Sequence, residues 1–318
     1  MRSAKETTLT AMVRKSNSFR TVLSSWQLYF MLLLPLAYIL IFAYVPMAGV
    51  QLAFRKYSAA SGAYGGQWIG FDYFIRFFND YQFTRILSNT LTISFYTLLA
   101  GFPLPIILAL MLNSARSRGL RKTVQMASYM PHFISTVVMV GIIMQVFDTR
   151  IGLYGKLFGF LGIEAINLFG KPDAFPHLYV WTGVWQNMGW GSIVYLAALA
   201  SVPTELHEAA MIDGASRFRR LIHIDFMSIL PTAIILLIMN VGQIMNVGFE
   251  KAFLMQNSLN LRTSELISTY VFKTGLTSGG GGDFSYATAI GLFNSIINLV
   301  LLVAVNQLAK KYGETSLW

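Results

Sequence analysis

The sequence predicts an all-α integral membrane protein with six transmembrane helices, and three observations carry that expectation. Of 318 residues, 55% are hydrophobic and only 12% are charged, whereas a soluble domain carries about 25% charged residues. The charges are also segregated: 26–54, 86–115, 123–147, 178–204, 226–249 and 284–309 contain no Asp, Glu, Lys or Arg. About 20 apolar residues cross the hydrocarbon core as a helix, so each of these runs is long enough. Finally, the runs are continuously apolar rather than alternating as in an outer-membrane barrel. In lipid every backbone polar group must find its partner inside the structure, which a helix achieves within one segment.

Residues 1–25 form a basic N-terminal segment carrying Arg2, Lys5, Arg14, Lys15 and Arg20. The uncharged run after it is 29 residues long, too long for the short apolar region of a cleaved signal peptide, so it reads as an uncleaved first span. Prolines fall inside several spans, at Pro35, Pro46, Pro103, Pro105, Pro131 and Pro231. Each removes a backbone donor and bends its helix. The transmembrane domain is expected over 26–310 and a short tail over 311–318.

Orientation follows from the loops. With the N-terminus inside, inside segments hold 14 of the 24 lysines and arginines. The densest group is Arg116, Arg118, Arg121 and Lys122, between the second and third spans. Lys and Arg collect on the cytoplasmic side, so both termini are expected there. The formal net charge of +10 is explained in the same way and does not require nucleic acid. The outside loops include a turn-rich stretch at 61–70, an amphipathic piece at 71–83 and a run of four glycines within 278–283. No loop is large enough for a core of its own.

Several chemistries are excluded. There is no cysteine, hence no disulfide, thiolate nucleophile or Cys-ligated metal. No phosphate-binding loop of the G-x-x-x-x-G-K-[ST] type and no G-x-S-x-G elbow occurs, so ATP hydrolysis and Ser-based hydrolysis have no seat here. His207-Glu208 begins like a zinc-binding helix, but position 211 is Met where the second histidine would stand. Neither inverted repeats nor charged residues inside the spans point to an ion-coupled secondary transporter, which is the rival reading. His132, beside Pro131, reads as a hydrogen-bonded bundle residue.

The stretch 202–225, between the fourth and fifth spans, stands apart. Pro203 suits the first turn of a helix and Glu205 its positive end. Gly214 suits a left-handed stop, and Ser216 can cap a second helix carrying Arg217, Arg219 and Arg220. The result is a short helix, a glycine turn and a basic helix on the cytoplasmic surface. Ala209 and Ala210 leave a shallow face on which another protein can pack.

Glu208-Ala209-Ala210-x-x-Asp213-Gly214-Ala215, followed by Ile224 and Pro231, resembles the EAA signature of binding-protein-dependent ABC importer permeases. Met227 stands about where members of that family often carry a further proline. The resemblance implies a type I importer permease fold: a five-helix core from about residue 86, with an extra helix before it. It implies that Glu208, Ala209, Ala210, Asp213, Gly214 and Ala215 form the contact with a cytoplasmic ATPase. It further implies a second permease subunit, two ATPase subunits that bind the ATP and Mg, and a periplasmic solute-binding protein. The chain itself is then neither an enzyme nor a cofactor binder. The pattern is similar to the oligosaccharide-importing branch, alginate-like polyuronates among its cargoes.

Candidates for the substrate path follow from polar residues in apolar helices. Asn240, Gln243 and Asn246 recur every three residues in the fifth span, as one stripe that either binds sugar hydroxyls or joins helices. In the fourth span, Trp181 fits the interfacial belt, and Trp185 is the ring placed on the path. Asn294 and Asn298 of the sixth span read as interhelical contacts. Lys251, Arg262 and Lys273 lie at the outer mouth and read as solvated loop charges, although cations there could steer a polyanion.

Overall fold

The computed structural model describes residues 25–58, 62, 66–277, 282–313, 316 and 317. Residues 1–24 of the N-terminal segment expected over 1–25, residues 61 and 63–65 of the loop expected over 61–70, and most of the glycine run fall outside the described residues. Among the described residues the structure is helical, and β pairing is limited to two isolated bridges, Arg55 with Trp68 and Ser58 with Gly62. The chain divides into two units at Gln51.

The described residues of the first unit, 25–51, are helical almost throughout, and the last of them begin a 3-10 stretch that runs on to Phe54. Helix α1 (Trp26–Ile39) passes into a π turn (Leu40–Tyr44), one α turn (Val45–Met47) and a 3-10 stretch, Ala48–Phe54. The 29 residues Trp26–Phe54 are long and apolar enough to cross a membrane.

In the second unit, α2 (Asp72–Phe78) is the amphipathic piece expected near there. Helices α3 (Phe83–Gly101) and α4 (Pro103–Ser114) follow. Phe102 between them keeps helical angles, φ −80° and ψ −47°, so Phe83–Ser114 is a single span of 32 residues despite Pro103 and Pro105. Pro103 opens the new helix at its first position, where a missing N–H is tolerated.

The third expected span is not one helix. Helix α5 (Arg118–Tyr129) runs through a 3-10 turn, Met130–Phe133, and then breaks before α6 (Thr136–Val146). The two arms meet at 107°. Pro131 starts the 3-10 turn, and Ser135 starts α6 by accepting the Val138 N–H on its hydroxyl at 3.4 Å. The Ile134 carbonyl freed by the break accepts from Gln186 Nε2 at 3.0 Å. A broken helix at membrane depth is tolerated where a neighbour re-satisfies its backbone.

Helix α7 (Leu153–Phe160) follows a turn built on Asp148. The Asp148 carboxylate accepts the Ile151 and Arg150 N–H groups at 2.8 and 2.7 Å. These bonds favour the ionised form and hold its pKa below the ordinary carboxylate value.

Helix α8 (Phe175–Ala200), with 26 residues, is the element around which the unit packs. Its first half supplies Phe175, Leu178, Tyr179, Val180 and Val184 to one buried cluster, closed by Ile93, Val140, Ala252 and Met255. Its second half supplies Tyr195 and Leu199 to another, with Ile106, Ala109 and Leu110 of α4. Gly189 lets α5 approach: a Cβ there would overlap the Ser128 carbonyl oxygen.

The remaining helices are α9 (Thr204–Ile212), α10 (Arg217–Arg220) and α11 (Met227–Gly242). After them come α12 (Phe249–Met255), α13 (Leu261–Ser264), α14 (Ile267–Phe272) and α15 (Phe284–Gly313). Arg217–Gly242 and Phe284–Lys311 are apolar and long enough to span. The fifth span was expected to reach Phe249, but the helix ends at Gly242 and residues 243–248 are non-helical. A third cluster joins α2, α3, α14 and α15 through Phe77, Ile86, Ile267, Tyr286 and Ile290.

Candidate functional site

The stretch 202–225 folds as its local chemistry dictates. Pro203 stands just before α9, extended at φ −60° and ψ 133°, and Glu205 occupies the first turn. At the far end Gly214 takes φ +75°, a conformation that carries no Cβ penalty only in glycine. The Ala215 N–H reaches back to the Ala210 carbonyl at 2.8 Å, and the Gly214 N–H to that of Met211 at 3.1 Å. This pair of bonds is the Schellman stop. Ser216 then accepts the Arg219 N–H at 3.3 Å and opens α10. A π-helical segment, Leu221–Phe226, joins α10 to α11 without interruption.

Of the six residues carried over from the EAA resemblance, Glu208, Ala209, Asp213 and Gly214 are exposed, while Ala210 and Ala215 are half-buried. Apolar side chains surround them in the open: Leu206, Met211, Phe218 and Ile212, the last 88% exposed. Uncovered apolar groups of this size concentrate where a protein meets a partner.

A feature absent from the sequence reading fixes this hairpin to the spans. Asp225 is buried in the π segment. Its Oδ1 lies 3.2 Å from His207 Nε2 and accepts from Asn113 Nδ2 at 3.3 Å. One carboxylate therefore ties α9 to the end of α4 and the start of α11. Its only cue in the sequence is an acid at the edge of an apolar run.

A cleft of about 610 Å³ lies between α3, α4, α8 and the stretch 243–248. Asn240, Gln243 and Asn246 all line it, but not as a stripe on one helix. Asn240 is in the last turn of α11, Gln243 caps it, and Asn246 lies beyond it. Asn246 donates to Gln243 Oε1 at 2.6 Å, and its Oδ1 accepts from Asn294 and Asn298, each at 3.1 Å. Asn298 also accepts the Met245 N–H at 3.0 Å. The two α15 amides thus hold the non-helical segment in place.

Trp185 does not line this cleft. It faces a separate apolar cleft of about 520 Å³, with Trp181 and His177 between α6 and α8. It was placed on the path as an aromatic ring of the fourth span, whereas α8 turns it to another side. Gln186 and Asn187, next along the chain, do line the polar cleft. Asn187 is held by His132 at 3.0 Å, whose ring stacks on Trp190 at 4.6 Å.

The three cations expected at the outer mouth part company. Arg262 meets Asp173 at 3.1 Å on the surface, and Lys273 lies 3.5 Å from Glu265. Lys251, expected to be a solvated loop charge, is buried, and it lines the polar cleft. Among the described residues no group of three or more His, Asp and Glu side chains is placed to hold a metal ion.

A bundle of apolar spans, an open polar cleft between them and an exposed helix–turn–helix at one end define a membrane permease. Residues 101–314 match the family described as binding-protein-dependent transport system inner membrane component. The chain belongs to that family: it is the permease subunit of an ABC transporter, and ATP hydrolysis resides in a separate subunit. It is 42% identical to protein LplB of Bacillus subtilis over 92% of this chain and 91% of that protein. It is 39% identical to the polygalacturonan/rhamnogalacturonan transport system permease protein YteP of the same organism, over 92% and 90%. It superposes, with TM-score 0.84 and 37% identity, on a chain of a bacterial ABC transporter involved in the import of the acidic polysaccharide alginate. That match covers 93% of this chain and 99% of the other. A second match, TM-score 0.85 and 36% identity, is to the alginate transporter in complex with an alginate pentasaccharide-bound periplasmic protein.

Proposed function

We propose that this permease carries an oligosaccharide inward, receiving it from a solute-binding protein and releasing it to the cytoplasm. In the full assembly it pairs with a second permease and two ATPase subunits. The observation that carries the reading is the exposed hairpin of α9 and α10, closed by the left-handed Gly214 and surrounded by uncovered Leu206, Met211, Ile212 and Phe218. Glu208, Ala209, Ala210, Asp213, Gly214 and Ala215 form the surface that enters the ATPase. Because Asp225 joins α9 to α4 and α11, a displacement of the hairpin reaches two spans directly. ATP-driven approach of the ATPases then selects between inward- and outward-facing arrangements of one bundle.

Asn240, Gln243 and Asn246 offer amide donors and acceptors to sugar hydroxyls in the cleft. With helix α8, uncharged and 26 residues long, as a further span there are six crossings, which put both termini on one side, and the Lys and Arg bias of the loops makes that side the cytoplasm. At about 1.5 Å per residue α8 reaches some 39 Å, enough for a core about 30 Å thick. Expression of the chain with its ATPase, partner permease and binding protein in sealed vesicles tests this. Uptake of labelled oligosaccharide is expected to require internal ATP and the binding protein. Uptake that instead follows an ion gradient without ATP would overturn it.

A further inference from the structure

Lys251 is 8% exposed, and no carboxylate among the described residues pairs with it. Its ammonium donates one hydrogen bond, to the Tyr179 carbonyl at 2.6 Å, and lies 4.7 Å from the centre of the Tyr179 ring. An ammonium has three donors, so two are left for something in the cleft that Lys251 lines. Burying a charge is costly unless it is paired, and a carbonyl and a ring do not neutralise it. The surroundings also make room: a Cβ on Gly183 would stand 3.1 Å from Nζ, and one on Gly248 3.1 Å from the Tyr179 hydroxyl. The neighbouring polar groups in the cleft, Gln186, Asn187, Asn240, Gln243 and Asn246, are all uncharged and suit hydroxyls.

We infer that Lys251 is the carboxylate-reading residue of the translocation cleft, so that the cargo is an acidic oligosaccharide whose uronate group the ammonium pairs with during passage. The inference rests on the proposed import of an oligosaccharide and adds which one. A buried cation with a vacant side rejects a neutral sugar by remaining unpaired and accepts a uronate by gaining its counter-charge. Among the relatives, the polygalacturonan/rhamnogalacturonan permease and the alginate transporter are described by acidic polymers.

The test uses the assembled importer in proteoliposomes with its binding protein, supplied with trigalacturonate, trimannuronate and neutral trisaccharides. Lys251→Met is expected to lower uronate uptake at least tenfold, while ATP hydrolysis stimulated by the unloaded binding protein and the thermal midpoint stay at or above the parent values. Lys251→Arg is expected to keep a third or more of the uptake. Gly183→Ala, which crowds the ammonium without removing it, should fall between. Full uronate uptake by Lys251→Met would overturn the inference. So would a lowered midpoint with equal loss in Lys251→Arg, because the side chain would then be holding the fold. An unmodified importer that carries a neutral trisaccharide but neither uronate overturns only the acidic assignment. One that carries no oligosaccharide at all overturns the import reading as well.

Discussion

Replacing Gly214 tests the hairpin through a single backbone angle. At φ +75° an L-residue is disfavoured by about 1–2 kcal/mol. Nothing lies within 4 Å of where a Cβ would be, so Gly214→Ala meets the backbone penalty alone, with no clash added. If the turn relaxes to escape it, the Ala215–Ala210 and Gly214–Met211 bonds at 2.8 and 3.1 Å are at stake, each contributing about 1 kcal/mol. A penalty of this size changes the ratio of formed to unformed turn by a factor of about 5–30. Gly214→Asn tolerates the left-handed region and is expected to stay near the parent. Gly214→Pro fixes φ near −65° and deletes the N–H that bonds Met211, so it should abolish the turn. The assay is sugar transported per ATP hydrolysed in proteoliposomes, alongside thermal unfolding. The ratio should fall in the order Asn, Ala, Pro, while the unfolding midpoint changes little because the turn is exposed. An unchanged ratio in Gly214→Ala and Gly214→Pro would refute the reasoning, as would Asn behaving like Pro.

Other perturbations report on the links between this hairpin and the bundle. Gly189→Ala forces a methyl into the Ser128 carbonyl and is expected to destabilise by about 1–3 kcal/mol, read as a lowered unfolding midpoint in detergent. Gly191→Ala meets only the Pro105 ring at 3.2 Å and should lower it less. Asp225→Ala leaves His207 and Asn113 without their shared acceptor, a loss of about 1–3 kcal/mol. Hydrogen exchange should then rise in Thr204–Ile212 but not in α8. Asn298→Leu orphans the buried Met245 N–H and removes one of the two α15 ties on Asn246, so uptake should drop with a midpoint loss that Asn298→Gln partly restores.

Features set by neighbouring residues were legible in the sequence. Gly214 and Ser216 end one helix and begin the next with groups a few positions away, so the hairpin could be drawn without any tertiary knowledge. The apolar runs were equally plain, because lipid imposes one rule on every span. Absence of charge, however, says only that a segment lies in apolar surroundings, not that it is one helix. The break at Ile134 was signalled by Pro131 and by Ser135 as a capping residue, yet the uncharged run passes straight over them. Gly242 and Gly248 marked the end of the fifth span in the same weak way. What a side chain faces was beyond reach when it depends on other elements. Trp185 and Gln186 are adjacent in sequence but line different clefts, and Lys251 is buried by α8, which it meets from 72 residues away.

The π-helical segment Leu221–Phe226 has a bearing on which length changes the chain can survive. A π turn holds one residue more than the α turn it replaces. Deleting one residue there would restore α geometry with the flanking helices nearly in phase, whereas deleting one from α10 would swing α9 by about 100° around the helix axis. In the second case His207 would leave Asp225, and the exposed face of α9 would look sideways rather than away from the bundle. A single-residue deletion is therefore absorbed by a loop such as 162–170 or by the π segment itself, while the count from Gly214 to Leu221 is locked by angular phase.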